Sequence, residues 1–208
     1  KADDYFSIGQ TNVLYQREGK CYFYETFQRG IYEVGEDDLK GYVMEGDVFP
    51  AEAVPAAGLP MAGFEPVIVN KERVTKEIKV VRAVARLDIE LENASGSAMT
   101  VQSINLGAFV ADQAYLFGQG NEAMPEGTAY SRKAWEVSGS IADGKKETYS
   151  YYLYPSVARA DAYTLGLTTN VKTYDPQPLM EGSTYLSRMP RNTVYKIRAI
   201  VDVDAITF

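Results

Sequence analysis

Histidine is absent from this chain of 208 residues, and cysteine and tryptophan occur once each. Without histidine the commonest general base and the commonest metal ligand are missing. Ser-His and Cys-His nucleophile systems are therefore excluded. A single cysteine closes no internal disulfide, so the fold must be held by its core. Cys21 sits in the strand-like run Lys20-Cys21-Tyr22-Phe23-Tyr24, where it reads as a small apolar side chain. Its flank, Arg17-Glu18-Gly19-Lys20, is polar and not the apolar segment that lipidation requires. No run of about 18 apolar residues exists, which excludes a membrane-spanning helix. The net charge of −7 comes with no basic cluster, which argues against nucleic acid or an anionic membrane as partner.

What is present favours β-structure. Sixteen tyrosines and eight phenylalanines suit pleated, half-buried surfaces. Residues 13–16 and 20–27 read as two strands of a hairpin turning at Glu18-Gly19. Further strands are expected at 66–70, 74–92, 99–110, 147–154, 162–171 and 193–203. The last alternates cleanly, with Tyr195, Ile197, Ala199, Val201 and Val203 on one face. Residues 36–40 read as a short acidic helical turn. The Pro-, Ala- and Gly-rich stretch 47–63 reads as a loop or extended crossover. Residues 118–146, with five glycines and the lone Trp135, read as a long surface loop carrying at most a hairpin. Short strands with frequent turn signals indicate an all-β fold of sandwich type.

The stretch from Leu59 to Leu91, which opens with Leu59-Pro60-Met61-Ala62-Gly63 and ends in the long strand-like run Lys76–Leu91, is the most informative. Ile78 and Val80 are apolar on even positions, whereas Val81, Ala83, Ala85, Leu87, Ile89 and Leu91 are apolar on odd ones. Such a switch of parity moves the buried face to the other side of a strand, through a bulge or a passage from one core to another. It marks residues 78–83 as a seam between two β-domains, 1–80 and 81–208, joined by a long strand over 74–92.

Candidate sites are few. Asp202-Val203-Asp204 has the form of a short metal motif, but at i and i+2 of a strand both carboxylates simply face solvent. Glu36-Asp37-Asp38 lacks the spacing of a calcium loop and reads as a helical cap. Arg82 and Arg86, four strand residues apart, stand about 13 Å from each other and cannot clamp one small anion. Pairing with acids is their expected role. Trp135, Tyr152 and Tyr154, the last two within the Tyr-rich run 149–154, are candidate rings for stacking on a ligand, against the commoner role of cross-strand packing. No catalytic, metal or cofactor site is expected.

Four segments together carry a family resemblance: Leu59-Pro60-Met61-Ala62-Gly63, Arg82-Ala83-Val84-Ala85-Arg86-Leu87-Asp88, Tyr115-Leu116-Phe117-Gly118, and Arg191-Asn192-Thr193-Val194-Tyr195-Lys196-Ile197. In this order and spacing they resemble the fimbrillins, the type V pilins and related cell-surface adhesins of Bacteroidales. The resemblance implies two transthyretin-like β-sandwich domains in tandem, with the opening strands of the N-terminal one unrepresented. It also implies a non-enzymatic surface subunit that assembles by β-strand exchange with other fimbrial subunits, or that caps or anchors a pilus. Host protein or glycan would be a further partner. One alternative is a stand-alone carbohydrate-binding surface protein. Another is a glycan-active enzyme without histidine, which requires two carboxylates about 5–10 Å apart in a cleft.

Overall fold

In the computed structural model the described residues are 6–8, 12–17, 20–25, 31–34, 40–46, 49–50, 53–54, 58–65, 75, 77–118, 123–156 and 162–208. The expected strand at 66–70 and the acidic triplet 36–38 lie outside them. Packing divides the chain into two compact units, Lys1–Tyr42 and Val43–Phe208. The first contains an antiparallel meander of β1 (Phe6–Ile8), β2 (Asn12–Arg17), β3 (Lys20–Glu25) and β4 (Ile31–Val34). The β2–β3 pair is the expected hairpin, with Arg17 opposite Lys20, and Cys21 lies in β3.

The second unit contains β5 (Val43–Glu45), β6 (Phe49–Pro50), β7 (Met61–Ala62), β8 (Val81–Arg82), β9 (Ala85–Asn93), β10 (Met99–Ala111), β11 (Gln113–Tyr115) and β12 (Tyr130–Ile141). It continues with β13 (Lys146–Leu153), β14 (Thr164–Thr169), β15 (Thr173–Pro178), β16 (Met180–Glu181), β17 (Thr184–Tyr185), β18 (Val194–Val201) and β19 (Ile206–Thr207). Two sheets, ordered β12-β10-β14-β15 and β19-β18-β9-β13-β6, pack as a sandwich. Small two-stranded ribbons, β5–β11, β7–β8 and β16–β17, complete the unit. Strands β5, β6 and β7, which precede residue 80, pair with β11, β13 and β8 of this same unit.

Strict alternation explains the core. Ala85, Leu87, Ile89 and Leu91 of β9 are all fully buried, and Arg86, Asp88, Glu90 and Glu92 face outward. Each large aliphatic side chain so buried contributes about 1.5–3 kcal/mol. Facing them are Val101, Ile104 and Leu106 of β10 and Leu165 and Leu167 of β14. Trp135 of β12 and Tyr151 of β13 stack across the sandwich, ring centroids 3.4 Å apart and 5° from parallel.

Two expectations are corrected. The loop expected over 118–146 contains β12, a strand of 12 residues. Its inward positions Trp135, Val137, Gly139 and Ile141 alternate with Glu136, Ser138 and Ser140, but glycine and charge mask the pattern. The strand expected over 74–92 is two strands. Residues 77–80 belong to none, and β8 and β9 are separated by a bend at 83–84. Ala83, Val84 and Ala85 are buried in succession, which a period of two cannot accommodate. The parity switch is thus a bend, and Ile78, Val80 and Val81, read as buried, are 36%, 44% and 38% exposed.

Candidate functional site: a motif junction and an open strand edge

The four motif segments, dispersed in sequence, meet at one end of the sandwich. Met61 and Ala62 pair with Arg82 and Val81, and the Ala83 N–H donates to Pro60 O at 2.9 Å. Gly63 is required there: a Cβ would run into the Lys79 carbonyl oxygen. The Asn192 N–H donates to Val84 O (2.8 Å) and the Arg86 N–H to Thr193 O (2.9 Å). Asn192 has φ +55°, a left-handed conformation that Asn tolerates better than most residues. Arg191 closes the set. Its guanidinium donates to Leu116 O at 2.9 Å and Tyr115 O at 3.0 Å, and its Nε lies 3.3 Å from where a Cβ on Gly118 would stand. Beside this junction Met44, Ala83 and Ala114 form a small core, with Leu116, Met124 and Tyr154 packed on it.

The outer face of the β18–β9–β13 sheet is a ladder of charges. Arg86 Nε donates to Asp88 at 2.7 Å, and the Ser150 hydroxyl donates to the same carboxylate at 2.6 Å. Lys146 reaches Glu90 (2.8 Å) and Glu92 (3.4 Å). Arg198 binds Glu92 at 2.6 Å and lies 3.8 Å from Glu90. The Arg198 hydrogen bond holds the Glu92 carboxyl below the ordinary glutamate range, with Lys146 adding to it. Arg86 thus pairs with an acid as expected.

Beyond this ladder lies β18, which runs parallel to β9 from Val194 beside Arg86 to Val201 beside Asn93, and only the two-residue β19 follows it in the sheet. The Arg86 N–H donates to Thr193 O, and the Ala94 N–H to Val201 O. In a parallel ladder of this phase, Tyr195, Ile197 and Ala199 turn their main-chain groups to β9. Those of Val194, Lys196 and Arg198 turn away from it. β19 covers only Ile200 and Val201 on that side. Among the described residues no strand pairs with 194–198 there. On the inner side Tyr195 and Ile197 are half-buried against the core. Burial raises the Tyr195 phenol, as does Glu181, while Arg188 opposes the shift.

The three aromatics expected to stack on a ligand go to three different places. Trp135 is 6% exposed, with a ring face taken by Tyr151. Tyr152 lies on the outer face opposite Arg86, in register across β13 and β9. Tyr154 packs at the junction core. Asp202 and Asp204 are exposed, as expected, but in the turn after β18, where Asp202 accepts from the Val203 N–H at 2.6 Å. No group of three Asp, Glu or Cys residues among the described residues could hold a metal ion. No helix among them is long and apolar enough to cross a membrane. The open edge was missed in sequence because alternation reports which face is buried, not which neighbour a strand lacks.

No family model matches the chain, and no curated protein does. Solved structures do match. The tip fimbrial protein Mfa3 from Porphyromonas gingivalis, with C-terminal truncation, matches with TM-score 0.57 at 14% identity, over 97% of this chain and 89% of that one. The chain has the Mfa3 fold. A protein from Bacteroides uniformis provisionally named a cell adhesion protein matches with TM-score 0.39 at 14% identity, over 62% of this chain and 49% of its own. One of the same description from Bacteroides ovatus gives 0.38 at 16%, over 62% and 44%. This chain thus spans about half the length of those two proteins. The Mfa3 fold agrees with the fimbrillin resemblance drawn from the four motifs.

Proposed function

We propose that this chain is a non-enzymatic fimbrial subunit or adhesin of the cell surface, which joins other fimbrial subunits by addition of a β-strand. The observation that carries the reading is the open edge of β18. Main-chain groups that no described strand pairs, beside half-buried Tyr195 and Ile197, are what an added strand satisfies: ladder hydrogen bonds hold it and alternate side chains enter the groove. The Mfa3 fold, that of a tip fimbrial protein, supports the same reading. A capping or anchoring position in a pilus uses the same edge. The tandem arrangement of domains 1–80 and 81–208 belongs to this proposal, with β5, β6 and β7 as strands of the first that pair with strands of the second.

The test is a single proline. Proline is tolerated where a strand's N–H faces outward and removes the donor a partner needs. Lys196→Pro is expected to leave the circular dichroism and the Trp135 fluorescence of the fold in place while abolishing high-molecular-weight assemblies at the producing cell's surface. Assemblies that persist in a folded Lys196→Pro variant would sink strand addition at β18.

A further inference from the structure

On the outer face of this sheet the acids of β9 lie between cations of its neighbours: β13 contributes Lys146, β9 contributes Asp88, Glu90 and Glu92 after Arg86, and β18 contributes Lys196 and Arg198. Arg198 is satisfied by Glu92. Lys196 is not: its neighbour in register is Asp88, whose carboxylate is taken by Arg86 and Ser150. Lys196 has no ion pair among the described residues. On the inner face the positions between these cations are Tyr195 and Ile197, whose rims remain open although the corresponding positions of β9 are fully buried. The one described strand on this edge, β19, is antiparallel to β18 at the latter's C-terminal end, with Thr207 opposite Ile200 and Ile206 opposite Val201, and a strand continuing along the edge in the same sense is antiparallel too.

From this edge we infer the chemistry of its partner: an extended strand, antiparallel to β18, with acidic residues opposite Lys196 and Arg198 and apolar residues between them. The inference rests on the strand-addition reading above and goes beyond it by naming which strands fit. Opposite charges directly across a pair stabilise a sheet and like charges oppose it. A strand with lysines in place of the acids would set four cations side by side.

Two capped peptides of equal length, one alternating Val and Glu, the other Val and Lys, test this against the full chain. Affinity is read by fluorescence anisotropy, and the site by hydrogen exchange at the Lys196 and Arg198 amides. The Val/Glu peptide should bind about tenfold more tightly, equivalent to about 1.4 kcal/mol, and slow exchange at both amides. Lys196→Glu, a change at an exposed position, should narrow or reverse the preference. Equal affinities with both amides protected would overturn the charge rule and leave strand addition standing. Binding by either peptide without protection at these amides, or no binding by either, would overturn the rule together with strand addition at this edge.

Discussion

The stretches on either side of the bend at 83–84 make the most instructive comparison in the molecule. Both are rich in β-branched and aliphatic residues, and both pair with a neighbour. In β9 the apolar side chains are fully buried, because a second sheet lies across that face. In the β7–β8 ribbon and the residues leading into it, Met61, Phe64, Ile78, Val80 and Val81 are exposed, with only one two-residue strand beside another. Hydrophobic pattern therefore decides sidedness, and a second layer decides burial.

The largest expected effect sharpens that contrast directly. Ile89→Ala should destabilise the sandwich by about 2–5 kcal/mol, read from urea unfolding followed by the fluorescence of buried Trp135. Val80→Ala should stay within about 0.5 kcal/mol, and comparable losses at both sites would break the comparison. Next in size, the junction should behave like the core despite lying at its edge. Arg191→Ala removes two charge-assisted hydrogen bonds to carbonyls 75 and 76 residues away in sequence, for an expected loss of about 2 kcal/mol. The ribbon also contains one intolerant position. Gly63→Ala drives a Cβ into the Lys79 carbonyl and should cost about 1–3 kcal/mol, seen as faster exchange at the Ala83 amide, which bonds to Pro60. Asn192→Ala should lose about 1 kcal/mol from its left-handed backbone, and Asn192→Gly less.

The smallest effect lies on the charged face. The folded pKa of Glu92 is depressed, chiefly by Arg198. The stability it contributes is therefore present above the ordinary glutamate pKa and lost as pH falls through the lowered folded value. Because the carboxylate lies on the outer face and is still partly open to water, the loss should be slight and should shrink with added salt. Urea midpoints measured from neutral pH down through the carboxylate range, for the wild type and for Arg198→Gln, should show a shallower acid decline in the variant.

Much of the sandwich is legible in the sequence. β9, β13, β14 and β18 each alternate apolar and polar residues against a core, and the hairpin of β2 and β3 follows from its turn. β12 is not legible, because Gly139 and its charged neighbours hide the period, so Trp135 read as a loop aromatic when it is a core residue. The four motifs are visible as a series, but their meeting depends on hydrogen bonds such as those of Arg191 to Leu116 and of Asn192 to Val84, which no local pattern encodes. The open edge is invisible for a related reason: the sequence of β18 has the same form whether a neighbour lies on one side or on both.

The central claim is that β18 gains a strand when the protein takes up its role on the cell. Residue-resolved hydrogen exchange at Lys196 and Arg198, compared between the isolated chain and assemblies taken from the producing cell's surface, tests it most directly. The account predicts fast exchange in the isolated chain and strong protection in the assembly. Amides that exchange equally fast in both would contradict it.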